Sequence, residues 1–134
     1  MPQPYPNGEL VIVIDCSDLD GAARFWAAVL GYEANPPGVG SDGSANGSAR
    51  YRGLQPESGV GIDVLLQRVP DVKSQKNRLH LDLRTPDLDA EVRRVRDLGA
   101  SLLTSKPVAE DGWLWHILAD PDGNEFCVLQ PPAD

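Results

Sequence analysis

The segment RLHLDLR alternates Leu79, Leu81 and Leu83 with His80, Asp82 and Arg84. A strand there puts an imidazole, a carboxylate and a guanidinium on one face and three leucines on the other, because successive side chains of a strand point to opposite sides. His80 then has two readings. It is a hydrogen-bonding partner for a ligand or an acid/base titrating near neutral pH, or it is a structural histidine satisfied by Asp82 or by a backbone carbonyl.

The other candidates are fewer. Asp15 closes the apolar run LVIVIDC on the same parity as Val11 and Val13. Its carboxylate either receives a ligand's amine or hydroxyl, acts as a base, or ends a strand in solvent. Cys127 lies in EFCVLQ, where it is a soft metal ligand or a thiolate nucleophile on one reading and a small apolar filler on the other. Trp113 and Trp115 share one face of a strand, as a stacking platform for a flat ligand or as cover for a dimer surface. Ile62, Val64 and Leu66 form an apolar wall of the kind that lines small-molecule pockets. Lys73, Lys76 and Arg78 make one local positive cluster, suited to an anionic group or simply to a solvated connector. Asp120, Asp122 and Asn124 lack the spacing of a calcium loop and read as a turn.

Composition narrows the classes. The 134 residues suit one compact domain, and 20 acidic against 12 basic residues give a formal charge of −8, which argues against a nucleic-acid partner. No apolar run is long enough to span a membrane, and Met1–Leu10 lacks the features of a secretion signal, so the expected compartment is the cytoplasm. Two cysteines, Cys16 and Cys127, make no disulfide framework. Phosphate-binding loops, nucleophile elbows and metalloprotease helices are missing from the sequence.

These residues must be held by elements that the sequence also marks. Leu10–Cys16 reads as a strand, and Ser17 or Asp18 caps a helix carrying Ala22, Phe25, Trp26, Val29 and Leu30 on one side, with Gly31 as its stop. The region 35–61 is rich in Gly, Ser, Pro and Asn; its part from Pro36 to Gly47 is expected to be an exposed loop and a lid over a pocket. Ala49–Leu54 is a weak strand and Gly61–Val69 a clear one. The pattern restarts at Arg78–Arg84, followed by a helix with Leu88, Val92, Val95 and Leu98 in one stripe, and by strands at Ser101–Ser105, Trp113–Leu118 and Glu125–Gln130. Asp18-Leu19-Asp20 and Asp87-Leu88-Asp89 open the two helices, Leu30-Gly31 and Leu98-Gly99 end them, and Leu66-Gln67 and Leu129-Gln130 end the last strands. Three matches in the same order mark an internal repeat.

With that repeat, DLDGAARFWAAVLGY and ADPDGNEF make the chain similar to the vicinal oxygen chelate superfamily, which includes glyoxalases, bleomycin-resistance proteins and extradiol dioxygenases. KNRLHLDLRTPDLDAEV and GNEFCVL resemble its glyoxalase-like subgroup. The resemblance runs from Leu10 to Gln130. It implies an α+β fold of two tandem βαβββ modules forming a curved, cup-like mixed sheet with helices on the outer face. The modules would be residues 10–69 and 78–130 of a single glyoxalase-like domain, joined by a linker at 70–77. It also implies a homodimer.

Metal-using members of that superfamily bring four side chains together, from the first and last strands of both modules. Carried onto this chain, the first-strand positions are Val11 and His80. One last-strand position, a Glu in the family, is Cys127, with Glu125 two residues early; aligning Leu66-Gln67 on Leu129-Gln130 makes Val64 the other. Valine offers no ligand atom, so the expected cofactor is none, with His80 and Cys127 as the residual basis for a divalent metal. The expected function is binding of a small, partly apolar organic ligand by Asp15, Ile62, Val64, His80, Asp82, Trp113, Trp115 and Cys127. The alternatives are a metal-dependent lyase, isomerase or dioxygenase, and a metal-independent enzyme using His80 and Asp82.

Overall fold

A computed structural model describes residues 4–5, 10–40 and 50–134; most of the proposed lid, 41–47, lies outside them. The fold is α+β, and the chain divides into two compact units, Met1–Val72 and Lys73–Asp134. They are called module one and module two below.

Module one runs β1 (Val11–Cys16), α1 (Leu19–Leu30), β2 (Tyr32–Ala34), β3 (Tyr51–Pro56) and β4 (Asp63–Arg68), in the sheet order β1-β4-β3-β2. The β1–β4 pair is parallel and the others antiparallel. Asp18 starts α1 by accepting a hydrogen bond from the Gly21 N–H, one of the donors a helix leaves free in its first turn. Gly31 ends it in the left-handed conformation, at φ 69°. Trp26, 1% exposed, meets Phe25 edge to face at 5.1 Å, and both are buried with Leu54, Val64 and Leu66.

Module two repeats the plan: β5 (Leu81–Arg84), α2 (Leu88–Asp97), β6 (Ser101–Leu102), β7 (Val108–Glu110), β8 (Trp113–Ala119) and β9 (Glu125–Gln130). Its sheet order is β5-β9-β8-β6, with β5–β9 parallel and β7 paired to β8 further along the strand that β6 also borders. Asp87 caps α2 as Asp18 caps α1, accepting from the Ala90 N–H, while the Gln130 side chain accepts from the Leu88 N–H. Leu88, Val92 and Val95 are buried, as are Leu118, Phe126 and Val128 of the sheet. No helix among the described residues is long and apolar enough to cross a membrane.

Several boundaries differ from the sequence reading. The strand expected at Arg78–Arg84 begins only at Leu81, and Leu79 is 91% exposed rather than packed with Leu81 and Leu83; the ladder to β9 starts at Leu81, so strand parity does not govern Leu79. Leu98 is part-exposed at the α2 C-cap, and Ser101–Ser105 shrinks to two residues. Strands β2 and β7, three residues each, carry too little alternation to be legible.

The repeat register also shifts by one. Val13 pairs with Leu65, and Asp82 pairs with Cys127. The 69-residue offset between the helix caps relates Val13 to Asp82, so Leu65, not Val64, is the counterpart of Cys127. Val64 lies instead on the other face of β4, 2% exposed, with Leu66 and their β3 neighbour Leu54. The matched Leu-Gln pairs misled because Asp15 and Arg84, each three residues before its helix cap, pair with Gln67 and Leu129, so Leu66-Gln67 corresponds to Val128-Leu129.

Candidate functional site

In module two, the faces of β5, β8 and β9 alternate as the pleat requires. Phe126, Val128, His116 and Leu118 are buried on one side. Asp82, Trp115, Ile117, Cys127 and Leu129 take the other and line a pocket of about 440 Å³. Lys76, Asn77, Arg78 and His80, from the segment entering β5, and Glu125 at the start of β9 complete it. The volume falls within the range of small-molecule sites. Trp115, Ile117 and Leu129 supply an apolar floor.

At the polar end, the His80 Nδ1 lies 3.0 Å from the Asp82 Oδ1, and both side chains are half-exposed. An ionised carboxylate only accepts, so Nδ1 carries the hydrogen; in the neutral imidazole Nε2 is then a lone-pair acceptor. Cys127 closes the group: ligand atoms of His80, Asp82 and Cys127 lie within 4.8 Å of one another. Burial first, and then the charge and hydrogen bond of Asp82, push the thiol up to about 11. At neutral pH it is therefore a thiol and not a thiolate, which makes it a poor nucleophile.

Beside this group, Lys76 Nζ meets Glu125 Oε2 at 2.6 Å and the Asn77 amide donates to the Glu125 carbonyl at 3.4 Å. These contacts tie the segment before β5 to the start of β9.

The structure brings together His80, Asp82, Trp115 and Cys127 of the residues singled out from sequence, and with them Lys76 and Arg78 of the positive cluster. It separates Trp113 from them: that ring lies under the Arg84 guanidinium, 5.4 Å from its centroid, and does not line the pocket. Asp15 is exposed at the end of β1, paired in register with Gln67. Ile62 precedes β4, and its carbonyl accepts from the Tyr32 hydroxyl at 2.9 Å. Val64 is core. Ile117, Leu129 and Glu125 were missed; Ile117 and Leu129 each lie two residues beyond a recognised one, Trp115 and Cys127, so strand parity would have found them.

Two polar residues resolve as structure. His116 is buried with its Nδ1 2.7 Å from the Thr104 hydroxyl, which itself accepts from the Ile117 N–H. The Asp120 carboxylate accepts from the Asp122 and Asn124 backbone N–H groups and from the Asn124 amide, which fixes the acidic segment as a turn.

A glyoxalase-like domain model matches residues 11–129. The chain belongs to the glyoxalase-like family. No curated protein sequence matches it. Among solved structures, a glyoxalase/bleomycin resistance protein/dioxygenase family enzyme from Burkholderia phytofirmans PsJN is similar at 17% identity and TM-score 0.64, covering 90% of this chain and 95% of that one. The fosfomycin resistance proteins FosX are also similar. That of Mesorhizobium loti has 15% identity, TM-score 0.65 and coverage of 92% and 91%; that of Listeria monocytogenes has 13%, 0.67 and 92% of each chain. At these identities the likeness is one of fold.

The superfamily's metal can be tested against the donors of this glyoxalase-like chain. Module two has an imidazole, a carboxylate and a thiol within reach of each other. The corresponding positions of module one hold Val11 and Leu65. Two of four positions carry no donor atom, and a third carries a thiol where the family has a carboxylate. This set does not fit the four-ligand shell of the metal-using members.

Proposed function

We propose that this glyoxalase-like chain binds a small, partly apolar organic molecule on the open face of module two without using a metal ion. The observation that supports this reading most directly is the pocket of about 440 Å³ with Trp115, Ile117 and Leu129 on its floor and the His80–Asp82 pair at its polar end. Apolar surface supplies affinity, while a few convergent polar groups fix orientation. Sequestration of a ligand needs no catalytic group beyond such a site.

The test pairs elemental analysis of protein purified without chelator with a thermal-shift screen of the metal-free protein. Ligands that bind only the folded chain raise its melting temperature by mass action. The proposal expects no metal, stabilising hits among small aromatic molecules, and their loss in Trp115→Ala. Near-stoichiometric metal that disappears in His80→Ala would overturn it in favour of a metal-dependent lyase, isomerase or dioxygenase.

The Nδ1–Asp82 hydrogen bond favours a second reading, a metal-independent acid/base enzyme, because it orients His80 with Nε2 available as a base. Turnover of a stabilising hit, abolished by His80→Ala in a still-folded protein, would establish that reading over simple binding.

A further inference from the structure

We propose that the ligand of this pocket is an organic anion, a compact carboxylate or phosphonate with an apolar body, whose charged head is bound by Arg78. The inference rests on the small-molecule reading of the same pocket and adds the ligand's chemical class.

The argument starts from where the positive charge is placed. The chain carries a formal charge of −8, yet residues 73–84 hold Lys73, Lys76, Arg78 and Arg84 against the single acid Asp82. A third of the chain's 12 cations thus falls in twelve consecutive residues. An acidic protein repels anions at long range, so an anion site requires a local cation.

The partners of these cations and of the pocket's acids then sort them. Lys76 is paired with Glu125, and the Asp82 carboxylate accepts a hydrogen bond from His80, so each of these lining groups has a partner. Arg84 stacks on Trp113, and Lys73 lies against the Gly123 turn. Arg78 lines the pocket and, among the described residues, has no carboxylate partner; it is the one charged side chain there without a hydrogen-bond or ion-pair partner. A guanidinium offers a planar fork of donors that fits a carboxylate or phosphonate through two parallel hydrogen bonds. With its head on Arg78, such a molecule has Trp115 and Ile117 for its apolar body.

The experiment titrates phenylacetate, phenylphosphonate and neutral phenylacetamide into the full chain and follows tryptophan fluorescence, with Trp115→Phe identifying the responding ring. The expected result is that at least one acid binds about tenfold or more tightly than the amide, as a charge-assisted bidentate contact predicts, and that added salt erodes the difference. Arg78→Gln should abolish the preference of the acids over the amide. The acid that binds more tightly identifies the head group. Equal binding of acids and amide, or a preference that survives Arg78→Gln, overturns the anion assignment and leaves the small-molecule reading standing. No response from Trp115 to any of the three probes at millimolar concentration overturns both.

Discussion

The parallel pair β1–β4 of module one presents Val11, Val13 and Leu65 where module two presents His80, just before β5, and Asp82 and Cys127 of the pair β5–β9. The opposite faces do not diverge in this way. Val64 and Leu66 in one module and Phe126 and Val128 in the other are all apolar and almost wholly buried. The buried face must match its surroundings in volume and polarity, since interiors are close-packed and an unpaired buried polar group is costly. The open face carries no such demand, so one scaffold holds an aliphatic surface in one copy and titratable groups in the other. Chemistry can be gained or lost on that face with little cost to the fold.

The comparison can be broken most forcefully through the cores. Trp26→Ala in module one and Phe126→Ala in module two should each cost about 3–5 kcal/mol in urea denaturation, the usual range for emptying a buried aromatic site. A loss under about 1 kcal/mol for either would mean that its module does not depend on the buried face as the other does. The caps sharpen the comparison at a smaller scale. Asp18→Ala and Asp87→Ala each remove an equivalent side-chain acceptor, at 3.2 and 3.1 Å from the N–H it serves. Each should destabilise by about 1 kcal/mol, and clearly unequal losses would break the equivalence of the two helix starts.

The smallest effect belongs to the open face. Cys127 has a folded pKa of about 11 against an ordinary 9.0. Between those values the unfolded chain releases the thiol proton and the folded chain keeps it, so stability falls as pH rises through that window. Wild-type protein should therefore lose more stability there than Cys127→Val. In iodoacetamide labelling mapped by mass spectrometry, Cys127 should react slowly at neutral pH. Asp82→Asn should speed it, because it removes a negative charge that holds the thiol protonated. An unchanged labelling rate would detach Cys127 from Asp82 and leave the open-face group as a juxtaposition without coupling.

Both long helices with their caps, and strands such as Glu125–Gln130, were legible because their signals are local: a capping Asp, helical spacing of apolar residues, a left-handed glycine, alternation along a strand. Short β2 and β7 were not, since pairing to a neighbour and not their own pattern defines them. The site was legible in part. Alternation placed Asp82 with His80, and Trp115 on the face that proves open. Val64 was misplaced because one residue of register moves a side chain to the other face. Trp113 was misassigned because its cover, Arg84, comes from a strand far away in sequence.

The sequence by itself therefore determined the α+β class, the repeated module, both helix starts and the imbalance of potential ligands between the two copies, all of which follow from residue type and near-neighbour spacing. Tertiary structure alone decided that Cys127 stands beside Asp82 and that Lys76 is consumed by Glu125. It also left Arg78 as the one charged side chain of the pocket, among the described residues, without a hydrogen-bond or ion-pair partner. These depend on strand register and on contacts between residues some 45 or more positions apart, and no local pattern encodes which distant side chain fills the neighbouring place.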